Sequence, residues 1–184
     1  MALIESLPLE LGTRMPDFSL QDPYGDVHTT MGLLGEKGLL VVFTCNHCPY
    51  ALAVWDRLNR LAKMAHGLGI HTVAINPNIH PDYPEDSPDK MGELIVKRHI
   101  MFPYLIDDTQ MVAKAYRAQC TPDIYLLNAK TSLVYHGRID DNWQDETSVK
   151  SQDLKVALLA LGNKQTIPRV QYPSMGCSIK WREK

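Results

Sequence analysis

LLVVFTCNHCPYA, residues 39–51, decides how the rest of the chain is read. Leu39 to Phe43 is a continuous apolar run of strand length, the pattern of a strand buried on both faces. Cys45 and Cys48 follow at once, with His47 between them and Pro49 behind. Proline is tolerated in the first helical turn and poorly deeper in, so a helix should begin at or just before the pair. Leu52, Trp55, Leu58, Ala62 and Ala65 then recur at helical spacing, and Gly67 and Gly69 close that helix. The pair thus lies where unpaired backbone N–H groups and the positive end of a helix dipole converge, a field that favours a thiolate. A free thiol titrates near about 8.5, and a helix N-terminus, a neighbouring His⁺ and CxxC placement each lower that value. On this reading Cys45 is the exposed, attacking sulfur and Cys48 the more buried one that resolves the mixed disulfide. His47 can offer Cys45 a donor or a positive charge.

Working outward, Phe18 to Asp22 and Val27 to Thr29 read as a small N-terminal hairpin around Pro23-Tyr24-Gly25-Asp26. Ile70 to Ile75 is the next strand, followed by a loop from Pro77 to Pro88 that is longer than a connector needs to be. A helix from about Asp89 to His99, a strand Phe102 to Ile106 and a helix capped by Asp108-Thr109 and ending near Tyr116 come next. Ile124 to Leu127 and Leu133 to His136 are strands around a turn at Asn128 to Thr131. Leu154, Ala157, Leu158 and Leu161 share a face of the last helix, which Gly162 stops. Alternating strands and helices of this kind predict an α/β protein, a central mixed sheet with helices on both faces. Residues 163–184 form a C-terminal tail with no clear period, though it holds Cys177 and Trp181.

At 184 residues one domain, 1–184, is the simplest expectation. Apolar residues are 45% of the chain, enough for a sizeable core without disulfide staples. A net charge of −2 with scattered charges offers no basic stripe for nucleic acid and no polybasic membrane patch. No window approaches the ~18 apolar residues of a membrane span, and the N-terminus lacks the pattern of a signal peptide, so a cytosolic location is expected. Four cysteines, Cys45, Cys48, Cys120 and Cys177, are too few for a secreted disulfide framework. In a reducing compartment such cysteines do chemistry or bind metal. Thr121-Pro122, just ahead of a strand, is a place where an X-Pro bond can be cis.

With a strand-CxxC-helix unit and a Thr-Pro before a strand hairpin, the chain resembles the thioredoxin superfamily, and more narrowly its peroxiredoxin-like branch of AhpC/TSA and TlpA-type proteins. The pieces that carry the resemblance occur in order: PDFSLQDPYG, LLVVFTCNHCPYA, AINPN with YPEDSPDKM, FPYLIDDTQMVAKAY, CTPDIYLLN, LVYHGRIDD and PSMGCSIKW. The resemblance implies a thioredoxin-like fold and thiol redox chemistry, with Cys45 and Cys48 as the redox motif and Thr121-Pro122 as a cis-proline loop packed against it. The chain departs from the PxxxTxxC pattern of peroxiredoxins proper: Thr44 adjoins Cys45, and Leu40 stands where the proline would precede it.

The expectation is therefore a thiol-disulfide oxidoreductase of antioxidant type, acting through Cys45, Cys48, His47, Thr121 and Pro122. The Thr121-Pro122 backbone would hold a substrate strand by main-chain pairing. No metal or organic cofactor is required. A thioredoxin-type or low-molecular-weight thiol would supply electrons, and a disulfide or peroxide would receive them. A thiol peroxidase is the first alternative. A metal carrier using the pair with Cys177 or His47 is the second, although the second paired motif of a zinc ribbon is missing. Cys120 and Cys177 are possible additional thiols. Cys120 reads equally as a small buried residue, and Cys177 as inert beneath a tail packed by Ile179 and Trp181. The other histidines show no ligand spacing, and Asp140-Asp141 reads as a solvated turn or a cap.

Overall fold

In the computed structural model, which describes residues 3–182, the apolar run lies near the middle of a seven-stranded sheet. In chain order the elements are β1 (Leu3–Glu5), β2 (Ser19–Gln21), β3 (Val27–Thr29), α1 (Thr30–Leu33), β4 (Gly38–Phe43), α2 (Pro49–Gly67) and β5 (Ile70–Asn76). They continue with α3 (Pro88–Arg98), β6 (Tyr104–Ile106), α4 (Met111–Tyr116), β7 (Cys120–Thr121), β8 (Asp123–Asn128), β9 (Leu133–His136), α5 (Asp153–Gly162) and β10 (Met175–Ser178). The large sheet runs β3-β2-β6-β5-β4-β8-β9, with β4 and β6 parallel to β5 and the other pairs antiparallel. The expected mixed sheet flanked by helices is what the chain forms.

Alternation along β4 explains its uninterrupted apolar run. Leu40 and Val42 point to one face, into a core built with Val54, Trp55 and Leu58 of α2 and Leu154 and Leu158 of α5. Leu39, Val41 and Phe43 point to the other, against Met15, Phe18 and Ala113 and Tyr116 of α4. Each such side chain, fully buried, contributes about 1.5–3 kcal/mol, so a polar substitution anywhere in β4 would cost both the burial and a stranded polar group.

Two local expectations are corrected. The N-cap residue of α4 is Gln110; Thr109 Oγ1 accepts Met111 N (3.4 Å), while the buried carboxylate of Asp107, rather than Asp108, accepts the N–H groups of Val112 (3.3 Å) and Ala113 (2.8 Å). The tail without a period contains β10, which forms a three-stranded sheet β1-β10-β7. Cys177 lies opposite Leu3 on one side and Thr121 on the other. Residues 1–2 and 183–184, the ends of the expected domain and tail, lie outside the described residues.

The tail is pinned on both sides of β10. Ahead of it, Ser174 Oγ donates to Gly137 O (2.7 Å), and its N–H donates to Ser6 Oγ (3.0 Å). Behind it, Lys180 N donates to Asn78 Oδ1 (2.8 Å), Gln110 Nε2 donates to Lys180 O (2.8 Å) and Arg182 N donates to Gln110 Oε1 (2.8 Å). Ile179 joins the Phe43 face of the core, as expected, whereas Trp181 remains 37% exposed.

Candidate active site

The loop leaving β4 is held as firmly as the strand. Thr44 N donates to Ile75 O (2.9 Å), so pairing with β5 persists up to the first cysteine. Asn46 N donates to Asp86 Oδ1 (2.6 Å), Asn46 Nδ2 to Glu85 O (2.9 Å), and Tyr104 Oη donates to Asn46 Oδ1 (3.0 Å). Asp86 ends a 3-10 turn at Pro84–Asp86 and is fully buried. A buried carboxylate is costly unless its lone pairs are filled. Here Asn46 N, Asn76 Nδ2 (3.2 Å) and His47 Nδ1 fill them. His47 stacks on Tyr83 at 4.7 Å between ring centroids, and its buried Nε2 has no hydrogen-bond partner among the described residues.

Pro49 occupies the first turn of α2, which makes Cys48 the N-cap residue. The Thr121–Pro122 peptide is cis. It stands directly across from the pair: Cys45 Sγ lies 3.2 Å from Thr121 Oγ1, and Cys48 Sγ, when protonated, donates to Thr121 O at 3.1 Å. Cys177, one strand over, belongs to the same buried cluster as Cys45, Cys48 and Ala51, with Tyr50 packed against it. Three thiols from two distant parts of the sequence therefore form one cluster. Cys120 stays apart from it, its Sγ 3.6 Å from Pro122 O.

The environment separates the sulfurs electrostatically. The Cys48 thiol is lowered to about 5, chiefly because the Cys45 thiol donates to it. Burial opposes this, and the Cys177 thiol and the N–H groups of Ala51 and Cys177 add to it. Among these neighbours the Thr121 carbonyl favours the protonated form. Cys45 is raised well above the ordinary value by burial, then by its contact with Cys48 and the charge of Asp86. Burial and the same contact push Cys177 up to about 12, and burial with Asp123 raises Cys120. Of the three sulfurs, Cys48, the N-cap residue of α2, is the one whose surroundings favour ionisation.

Several sequence expectations change here. Cys45 is not the exposed end of the pair; both cysteines are fully buried. The sulfur favoured as a thiolate is Cys48, chiefly because the Cys45 thiol donates to it, with the Ala51 N–H in the first turn of α2 adding a smaller contribution. Pro49 carried the signal of the helix start, since it fixes the residue before it as the cap. His47 pairs with Asp86 rather than being given over to Cys45. Asp86 itself escaped the sequence reading, lying in a loop of acids and prolines 39 residues beyond its partner. The edge of β7 expected to receive a substrate strand is taken by β10. Asp140 accepts from the buried Arg57 (2.6 Å), while Asp141 accepts from Lys150 N (2.9 Å) as a loop cap. His136 is buried, its Nε2 3.0 Å from Asp123 Oδ1.

A cleft of ≈ 220 Å³ is lined by Pro122 together with Val54, Ile124, Arg138, Trp143 and Met175. Cys45, His47 and Asp86 each bring one ligand atom within 4.8 Å of the others, a donor set of the kind zinc takes. Asp86 already accepts from two other donors, however, so a metal there would compete with the hydrogen bonds that fix the loop.

The profile of the AhpC/TSA family matches residues 11–136. Among solved structures, the chain is similar to an uncharacterized conserved protein from Geobacillus kaustophilus, with 39% identity and a TM-score of 0.95 over 100% of this chain and 98% of that one. It is similar also to a hypothetical protein from Sinorhizobium meliloti, with 37% identity and a TM-score of 0.92 over 98% and 99%. The thioredoxin domain of a thiol-disulfide oxidoreductase from Bacteroides vulgatus shares the fold at 17% identity, with a TM-score of 0.59 over 70% of this chain and 89% of that one. No curated protein matches the chain.

Proposed function

The chain belongs to the AhpC/TSA family and has a thioredoxin-like fold, and we propose that it is a thiol-disulfide oxidoreductase working through Cys48 and Cys45. The observation that carries the reading is Cys48 itself: a thiol lowered to about 5, capping α2, 3.1 Å from the carbonyl that precedes Pro122. A thiolate is the attacking species in disulfide exchange.

In the first step the Cys48 thiolate attacks one sulfur of a substrate disulfide, forming a mixed disulfide and releasing the other half as a thiolate. That step removes the negative charge of Cys48, one of the groups that keeps Cys45 protonated. Cys45 then loses its proton to the departing sulfur and attacks Cys48, releasing the second half. The substrate disulfide has become two thiols, and the protein holds a Cys45–Cys48 disulfide. A thioredoxin-type or low-molecular-weight thiol returns it to the dithiol. Pro122 and the cleft beside it give the substrate its approach. A reducing, cytosolic setting belongs to the same proposal; no helix among the described residues is long and apolar enough to cross a membrane.

The test is stoichiometric exchange. Reduced protein given one equivalent of oxidised glutathione should release two equivalents of glutathione and close a Cys45–Cys48 bridge. Recovery of both cysteines as free thiols would remove the proposal. Consumption of hydrogen peroxide that vanishes in Cys48→Ser would extend it to peroxidase chemistry. The donor set of Cys45, His47 and Asp86 supports a second reading as a metal site. Metal analysis of protein purified without chelator separates the two, since exchange needs a pair open to alkylation.

A further inference from the structure

β10 lies where an incoming strand would pair with the cis-proline segment, and it brings a thiol with it. Cys177 is directly opposite Thr121, the residue whose carbonyl contacts Cys48 and whose hydroxyl contacts Cys45. It packs in one cluster with Cys48 and Cys45, and its thiol and N–H both favour the Cys48 thiolate. The approach depends on Gly176: a Cβ at that position would stand 2.0 Å from Thr121 O and 2.6 Å from Thr121 C. Only a residue without a side chain lets the strand come so close. The flanking bonds from Ser174 and Lys180 hold the segment in register on either side. The arrangement is that of a substrate strand already in place, supplied by the chain itself.

We infer that Cys177 is a third redox thiol of this site and that β10 acts as a built-in competitor of the substrate strand, able to resolve a mixed disulfide on Cys48. The inference rests on the exchange reading above, with Cys48 as the attacking sulfur. The step balances as follows. Cys48 carries one half of a substrate disulfide, the other half having left as a thiolate. The Cys177 sulfur attacks Cys48, the bond from Cys48 to the substrate sulfur breaks, and the second half departs with its electron pair. The proton of Cys177 goes to the released thiolates. Two protein thiols have been oxidised to a Cys48–Cys177 disulfide and the substrate disulfide reduced to two thiols. Return of β10 to β7 therefore both expels product and covers the pair. The chemical class it fits is a small or extended disulfide able to displace β10 for one turnover.

The test uses full-length Cys45→Ser with oxidised glutathione as the probe. In that variant glutathione should appear on Cys48 and then be released, with peptide mapping recovering a Cys48–Cys177 bridge. In Cys45→Ser/Cys177→Ser the glutathione should stay on Cys48. In unsubstituted protein a Cys48–Cys177 fraction should accompany the Cys45–Cys48 bridge, a measurement that needs no altered residue. If glutathione remains on Cys48 in Cys45→Ser while Cys177 stays open to alkylation, and no such fraction forms in the unsubstituted protein, the inference is overturned and the two-cysteine reading stands. If no glutathione reaches Cys48 and no bridge forms in any of the three proteins, both fall.

Discussion

Each of the two sheets contains a glycine with no room for a side chain, yet the two glycines guard different things. A Cβ on Gly38, at the start of β4, would meet Leu127 O at 2.1 Å; one on Gly176, in β10, would meet Thr121 O at 2.0 Å. Gly38 sits between β5 and β8, long strands whose faces carry both halves of the core. Gly176 sits between β1 and β7, of three and two residues, with a thiol cluster on one face. The near-identical crowding shows that steric cost alone does not say what a close approach is for. In the large sheet it sustains the fold, and in the small one it brings a third sulfur to the first two.

The sharpest break in that contrast comes at the sulfurs. Cys48→Ser should reduce disulfide exchange to background while the large sheet still forms, checked by a thiol-release assay beside circular dichroism. In unsubstituted reduced protein, alkylation of Cys48 should slow as pH falls through about 5. Because the folded state holds Cys48 below the ordinary thiol value, the unfolded chain binds the extra proton between about 5 and about 8.5. Reduced protein should therefore gain stability over Cys48→Ser as pH rises through that window and lose the gain below it.

Next in size is Gly38→Ala, which should destabilise the whole protein by about 3 kcal/mol, the upper end of overpacking costs, in a denaturant melt. Gly176→Ala should cost only about 1 kcal/mol of global stability, yet speed alkylation of Cys48 by about tenfold, because the small sheet opens locally. Equal effects of the two alanines on both measurements would erase the distinction between the sheets. The smallest effect is expected from Asp86→Asn in a Cys48→Ser background. Removing that charge should move ionisation of Cys45 to lower pH, read by its alkylation profile.

The large sheet was legible in the sequence because its signals are local: an apolar run for β4, helical spacing for α2, a Thr-Pro before β8. The same holds for the nearness of Thr121-Pro122 to the cysteine pair, once the fold was read. The small sheet was not, since its strands of two to four residues carry no period and their partners lie far apart in the chain. Asp86 was hidden for a related reason: an acid in a proline-rich loop looks solvated until its three partners, Asn46, His47 and Asn76, are folded around it. The roles of Cys45 and Cys48 look symmetrical in the motif. They part only in the folded chain, where Cys48 caps α2 and accepts from Cys45 while Cys45 faces the charge of Asp86.

Residues 171–182, which fasten β10 across the site, are synthesised after both cysteines of the CxxC motif and after every strand of the large sheet. A nascent chain that has emerged through β9 already carries that cysteine pair without β10 laid over it. Until those final residues arrive, protection from stray oxidants falls to the surrounding cell rather than to the polypeptide.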